Sequence, residues 1–395
     1  MRPGVGGPVA AAAMSAEQLA EIKRLQSLGY AGGSQPVSTF TGTTINQPDF
    51  AAPNLRFYLS GHAPGATLID PAGHVLHTWQ FSYAQCISAN INGEKPFLAD
   101  NKRTTDCWRR ARLLPDGGVL AIFEGHGLVR LDRESQLVWS YAGACHHDLD
   151  LAADGSIYIL TREARVLPRF HPRKPVLLDF ITHLSPDGIE LAKIDVMEAF
   201  ANSIYASYLG LLGEAGDIFH TNTLELLDGS LAHESPAFKE GNFLISIREI
   251  GVVAIIDPQV KQVVWALSGM WQAQHQPTLL ENGNLLIFDN QGHFGQSKVV
   301  ELDPLTQQIV WEFSNSSEAP FYSETCGSSQ RLENGNTLIT ESDNGRAFEI
   351  SAAGDIVWEF RNPQRTGTEN QYIAAILEMV ALPQDQKMAW LSVND

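Results

Sequence analysis

One short pattern constrains this chain more than any other: apolar residues set around a tryptophan. It reads HVLHTWQF (74–81), QLVWSY (136–141), QVVWAL (262–267), QIVWEF (308–313) and DIVWEF (355–360), with IELAKID (189–195) as a divergent copy. Self-similarity of this kind means one supersecondary unit built several times, each burying its faces against its neighbours. Length alone, 395 residues, would suggest two or three domains. Repetition points instead to one closed array.

Most copies follow a strand and a turn: LIDPAG, RLDRES, HLSPDG, IIDPQV, ELDPLT and EISAAG. Before these comes a second hairpin with an x-Gly turn, as RARLLPDGGVLAIF, HHDLDLAADGSIYIL, HQPTLLENGNLLIF and SQRLENGNTLIT. The fourth-blade copy, opening HTNTLELLDGS, has an insertion at its turn. Alternating apolar residues around Asn-Gly or Asp-Gly pairs are hairpin signals. Each period therefore supplies four antiparallel strands. The expected fold is all-β, a six-bladed β-propeller of four-stranded antiparallel blades over residues 54–395.

The N-terminal part supplies three outer strands, RFYLSG, ATLID and HVLHTW, but no inner hairpin. The C-terminal AAILEMVALP is expected to add the missing innermost strand; KMAWLSV offers a two-plus-two alternative. Residues 1–53 precede the propeller. They comprise a disordered start, a short amphipathic helix over 14–30 with Ser15 as N-cap, and a linker or strap over 31–53.

A net charge of −18 argues against non-specific nucleic-acid binding, which needs a basic face. No stretch of about 18 apolar residues exists, so no transmembrane helix is expected. The start is too Gly- and Pro-rich to read as a clear signal peptide, and a start upstream and a start at Met14 are both open. The four cysteines, Cys86, Cys107, Cys145 and Cys326, lack C-x-x-C spacing. Cys86 and Cys107 bracket one polar loop, so a disulfide there and four free thiols are both open.

Repeat phase picks out the candidate site. Eight residues before the turn glycines stand Arg109, His147, His275 and Gly327; His220 lies nine before Gly229. Seven residues after them stand Glu124, Arg162, Arg248, Asn290 and Ser342. In an antiparallel hairpin the start of one strand lies beside the end of the next. Both sets therefore reach the same rim and converge at the mouth of the central channel, with His146 as rival to His147. Histidines and arginines without a matching set of carboxylates suit an anionic substrate. Arginine offers a planar fork to phosphate- or sulfate-like groups. Histidine serves as nucleophile, base or donor near neutral pH.

Other readings compete. A histidine at a strand end is usually a hydrogen-bonded rim residue, and only phase-locking across blades lifts the group above that. The recurring tryptophans read as packing between blades. A non-catalytic propeller binding an anionic or aromatic ligand, or a protein, is one alternative. A metal held by three histidines, with Cys145 near, is another, though two arginines would repel a divalent cation. No metal and no cofactor are expected.

The segments CHHDLDL, FHTNTLELL, LISIREIGVVAIID and QHQPTLLENGNLLIFDN, in that order, resemble the bacterial arylsulfate sulfotransferases (arylsulfotransferases) across about 55–385. That resemblance implies transfer of a sulfuryl group from an aryl sulfate donor to a phenol acceptor, without the nucleotide sulfate donor. It implies His275 as a transiently sulfated nucleophile, with His220, Arg248 and His147 (or His146) holding the sulfuryl oxygens. Asn222, Arg109, Arg162 and Asn290 join them as substrate-binding candidates. Trp108, Tyr208, Trp271, Phe294 and Phe321 are loop aromatics that could pack on phenol rings or simply on the protein. The family's best-known members carry an added N-terminal β-domain and an export signal, whereas here only a helix and linker precede the propeller. A periplasmic or exported location is thus implied by resemblance, the cytoplasm stays open, and so does a homodimer.

Overall fold

The computed structural model describes residues 39–89, 105–293, 295–314, 320–385 and 388–393, with residues 15, 17, 18, 33 and 35–37. Four-stranded antiparallel sheets follow one another around a ring. Blade 1 is closed from both ends of the chain: Ile376–Ala381 is innermost and pairs with Arg56–Ser60, followed by Gly65–Ile69 and Val75–Gln80. Innermost strands of blades 2 to 6 are Arg110–Leu113, Cys145–Leu151, Thr221–Leu226, His275–Leu279 and Ser328–Arg331. The expected six-bladed propeller is the fold, and blade 1 takes the three-plus-one split.

Two features lie outside the simple repeat. Gly42–Asn46, in the expected linker, pairs with Ile356–Arg361 as a fifth strand on the outer edge of blade 6. The expected helix over 14–30 lies almost wholly outside the described residues. Its start is visible: Ser15 Oγ accepts from Gln18 N at 3.1 Å and Gln18 Oε1 accepts from Ser15 N at 2.8 Å, a reciprocal capping box.

The inner hairpins share one turn. Gly117, Gly155, Gly283 and Gly335 sit at φ of 85°, 84°, 83° and 85°. Each donates its N–H to the carbonyl three residues back, for example Gly283 N to Leu280 O at 2.9 Å. A type I turn ending on a left-handed residue requires this geometry, and glycine adopts it without a Cβ penalty.

The core is a set of seams. An apolar cluster fills each interface between neighbouring blades, the closing one between blades 6 and 1 included. The recurring tryptophans lie in these seams, as expected. Trp79 Nε1 donates to Gly117 O of blade 2 at 2.9 Å, and Trp358 Nε1 donates to Pro71 O of blade 1 at 2.7 Å. The closing seam also holds a fully buried ion pair, Arg56 Nη2 to Glu349 Oε2 at 2.7 Å, with the guanidinium 4.3 Å above the Trp358 ring. All four cysteines are free. No helix among the described residues is long and apolar enough to cross a membrane.

Candidate active site

At one rim the innermost strands stop being regular. His147, His220, Gln276 and Cys326 adopt φ of 52°, 52°, 49° and 53°. This left-handed region costs a non-glycine residue energy and concentrates at functional sites. In blades 3, 4 and 5 the pairing register shifts here. Such bulges re-aim side chains, and here they bring residues of adjacent blades together.

His275 is the most tightly defined of them. It is buried, and its Nδ1 lies 2.8 Å from Asn290 Oδ1 and 3.0 Å from Ala273 O. The Asn290 amide cannot be reversed, because its Nδ2 donates to Ser323 O at 2.9 Å and Cys326 O at 2.8 Å. Nδ1 therefore faces two acceptors and must carry the proton. Nε2 is left with its lone pair, and it has no hydrogen-bond partner among the described residues. Burial, with the charges of Arg109, His220 and Arg248, holds the ring well below the usual histidine range, against the Asn290 hydrogen bond that favours the cation. The result is a neutral imidazole presenting a bare nitrogen among cations.

The flanks of His275 are pinned from blade 4. Asn222 Nδ2 donates to Gln274 O at 2.8 Å, and Gln276 N donates to Thr223 Oγ1 at 2.9 Å. Asn222, expected to bind substrate, thus also positions the backbone of His275.

His147 and His220 meet through their Nε2 atoms at 3.1 Å. His146 stands behind, its Nδ1 2.9 Å from His147 Nδ1 and its Nε2 3.6 Å from Asp179 Oδ1. Of the two adjacent histidines, His147 is the one that reaches the blade 4 histidine. Burial lowers both rings well below the usual range; next come His220 and Arg109 for His147, and Arg162 for His146. Glu124 accepts from His147 N at 3.1 Å and lies 3.4 Å from Arg162 Nη2. Arg109 and Arg162 are both buried. Arg248 stays partly exposed at the rim, paired with Glu249.

Sequence reasoning missed two carboxylates. Asp217 Oδ2 lies 2.8 Å from His220 Nδ1, and its Oδ1 accepts from His220 N at 3.0 Å. Burial opposes its charge, but His220, Arg162 and His146 outweigh that and hold it below the usual carboxylate range. Asp179 is pushed upward by burial and by the Asp217 charge. An Asp-x-x-His spacing marks Asp217 in the sequence; nothing comparable marks Asp179. The loop aromatics resolve mostly as packing. Trp108, Trp271 and Phe321 are buried in the seams, and Tyr208 packs against the seam between blades 3 and 4. Phe294 lies outside the described residues.

Glu124, His146 and His147 present ligand-type atoms within 4.8 Å of one another. Arg162 sits against Glu124, and two of the ring nitrogens are bonded to each other. A divalent cation would displace that bond and meet the guanidinium charge, so this donor set suits an anion better.

Fold and site together define a class: a six-bladed propeller with a histidine- and arginine-lined centre at one mouth of its channel. The family within that class follows from the sequence match, since the arylsulfotransferase (ASST) family model covers residues 110–363, and the chain belongs to that family. The family's activity is aryl sulfotransfer, which implies small-molecule aryl sulfates and phenols as substrates. No curated protein matches the chain. Among solved structures it is similar to a protein of unknown function from Bacteroides caccae, with 14% identity and a TM-score of 0.49, covering 82% of this chain and 98% of that one. It is also similar to virginiamycin B lyase from Staphylococcus aureus, with 10% identity and a TM-score of 0.44, covering 84% and 88%.

Proposed function

We propose that the protein moves a sulfuryl group from an aryl sulfate to a phenol through a covalent sulfohistidine on Nε2 of His275, with no nucleotide sulfate donor. The observation that carries this reading is the forced tautomer of His275: a buried, neutral ring whose Nε2 lone pair has no other partner among the described residues. That lone pair attacks sulfur, the aryl oxygen–sulfur bond breaks, and the phenolate leaves with the bonding electrons. Arg109 and Arg248 supply fixed donors that stabilise charge as it develops on the sulfuryl oxygens and the leaving oxygen, with the His147–His220 pair beside them. The oxygen of an acceptor phenol then attacks the sulfohistidine and restores His275, giving ping-pong kinetics. An exported, periplasmic location belongs to the same reading, by family resemblance.

Incubation with 4-nitrophenyl sulfate, followed by mass spectrometry, tests it. The expected result is a burst of nitrophenol and a sulfuryl adduct on His275, both absent in His275→Ala. Phenol release that needs neither His275 nor an acceptor would overturn it.

A further inference from the structure

Five titratable side chains run end to end beside the reacting centre. Asp179 Oδ1 faces His146 Nε2 at 3.6 Å, His146 Nδ1 faces His147 Nδ1 at 2.9 Å, His147 Nε2 faces His220 Nε2 at 3.1 Å, and His220 Nδ1 faces Asp217 Oδ2 at 2.8 Å. We infer that Asp179 and His146 are the inner end of a proton relay that runs through His147 to His220 and supplies the departing phenolate. The inference rests on the sulfuryl-transfer reading above.

Each nitrogen–nitrogen contact needs one proton between its partners, so the chain has only a few consistent patterns. With Asp217 ionised, His220 carries its proton on Nδ1. His147 then donates from Nε2, His146 donates from Nδ1, and His146 Nε2 is bare opposite a protonated Asp179. Both facing atoms, Asp179 Oδ1 and His146 Nε2, are buried with no hydrogen-bond partner among the described residues. Their 3.6 Å gap is longer than a hydrogen bond, as catalytic contacts often are before substrate arrives. Asp179 Oδ2 is occupied by Thr221 N at 2.8 Å, which fixes the carboxyl plane. The charged groups facing the inner end are Arg162, Asp217 and His220, with Glu124 and Arg109 nearer His147. The upward push on Asp179 favours its protonated form.

One proton then passes along the row. The Asp179 O–H goes to His146 Nε2, the His146 Nδ1 proton to His147 Nδ1, and the His147 Nε2 proton to His220 Nε2. From the His147–His220 contact the proton goes to the phenolate oxygen, leaving phenol and an Asp179 carboxylate. The phenol O–H then donates back into that contact, so a proton still lies against the paired Nε2 atoms, and the acceptor phenol that replaces it returns its proton inward by the same path. Asp179 and His146 are positioning residues in this scheme, since neither touches substrate.

The test is the leaving-group dependence of single-turnover phenol release. Asp179→Asn keeps an acceptor for Thr221 N and a donor for His146 but has no acidic proton to pass on; His146→Gln breaks the row elsewhere and serves if the first variant folds poorly. With 4-nitrophenyl sulfate, whose phenolate leaves unaided, either variant is expected to lose at least tenfold less than it loses with phenyl sulfate. With phenyl sulfate, whose phenolate is more basic, the rate is expected to fall about 100-fold, the scale of general acid catalysis. Equal loss on both donors, or no loss on either, overturns the relay. If the wild-type chain releases phenol from neither donor, the transferase reading fails and takes the relay with it.

Discussion

Asn290→Ala probes the proposed nucleophile by changing what holds His275 while leaving the ring in place. In the resting protein the Nδ1–H to Oδ1 contact of 2.8 Å is one of two bonds on that proton, the other being Ala273 O at 3.0 Å. In the proposed attack of Nε2 on sulfur the ring gains positive charge, and the Asn290 bond becomes charge-assisted, worth about 1.5–3 kcal/mol. At about 1.4 kcal/mol per factor of ten, the sulfation rate should fall roughly 10- to 150-fold. Ala273 O still accepts from Nδ1, so the tautomer survives, and the loss stops short of that in His275→Ala. Removing the amide also orphans the carbonyls of Ser323 and Cys326, at about 1–3 kcal/mol for each buried group, so the melting temperature should drop. Single-turnover nitrophenol release, measured where the variant is folded, separates the two effects. A sulfation rate within about twofold of wild type would refute the argument, as would a loss confined to KM.

Two further outcomes follow from the same geometry. With 4-nitrophenyl sulfate, the single-turnover rate should stay flat as pH falls through about 6.5, the ordinary histidine value, because His275 titrates well below it and keeps its lone pair; an acid limb centred on that value contradicts the burial argument. Glu349→Ala leaves Arg56 buried and uncompensated across the closing seam, and breaking a buried pair costs about 3–5 kcal/mol, so chemical denaturation should show a loss of that size, while a loss near zero would mean that the apolar cluster alone holds the ring.

The blades and the rim positions were legible because both are periodic. Trp79 and Trp358 mark outer strands in register, and the shared turn sets a constant distance from Gly155 to His147 and from Gly283 to His275. Contacts between blades carry no such spacing. Asp179 lies on the third strand of blade 3 and reaches the amide of Thr221 in blade 4, a meeting made by the ring and not by the local chain. Asn290 was visible as a rim residue, but its lock on the tautomer depends on carbonyls of the loop entering blade 6. Between His146 and His147 alternation says only that they point apart, and a bulge decides which one meets His220. Gly42–Asn46 escaped because its residues, GTTIN, show no apolar alternation.

The rim also shows why six similar blades make an asymmetric site. The fold fixes where a side chain emerges and leaves its identity open. Blades 2 to 5 place Arg109, Arg162 with His147, Arg248 with His220, and His275 at this rim. Blade 6 places Gly327 and Ser342 there, with Gly327 N donating to Ser342 Oγ at 3.0 Å, and blade 1 places Ile376 opposite Ser60. The arginines and histidines thus form an arc, with uncharged residues on the far side. An aryl sulfate has that same asymmetry, with charge gathered at one end and an uncharged ring at the other. A centre built for a symmetric anion would gain by completing the circle. In a chain of net charge −18, the incomplete arc gathers the arginines on one side of the centre, which is the arrangement that the proposed transfer from an aryl sulfate calls for.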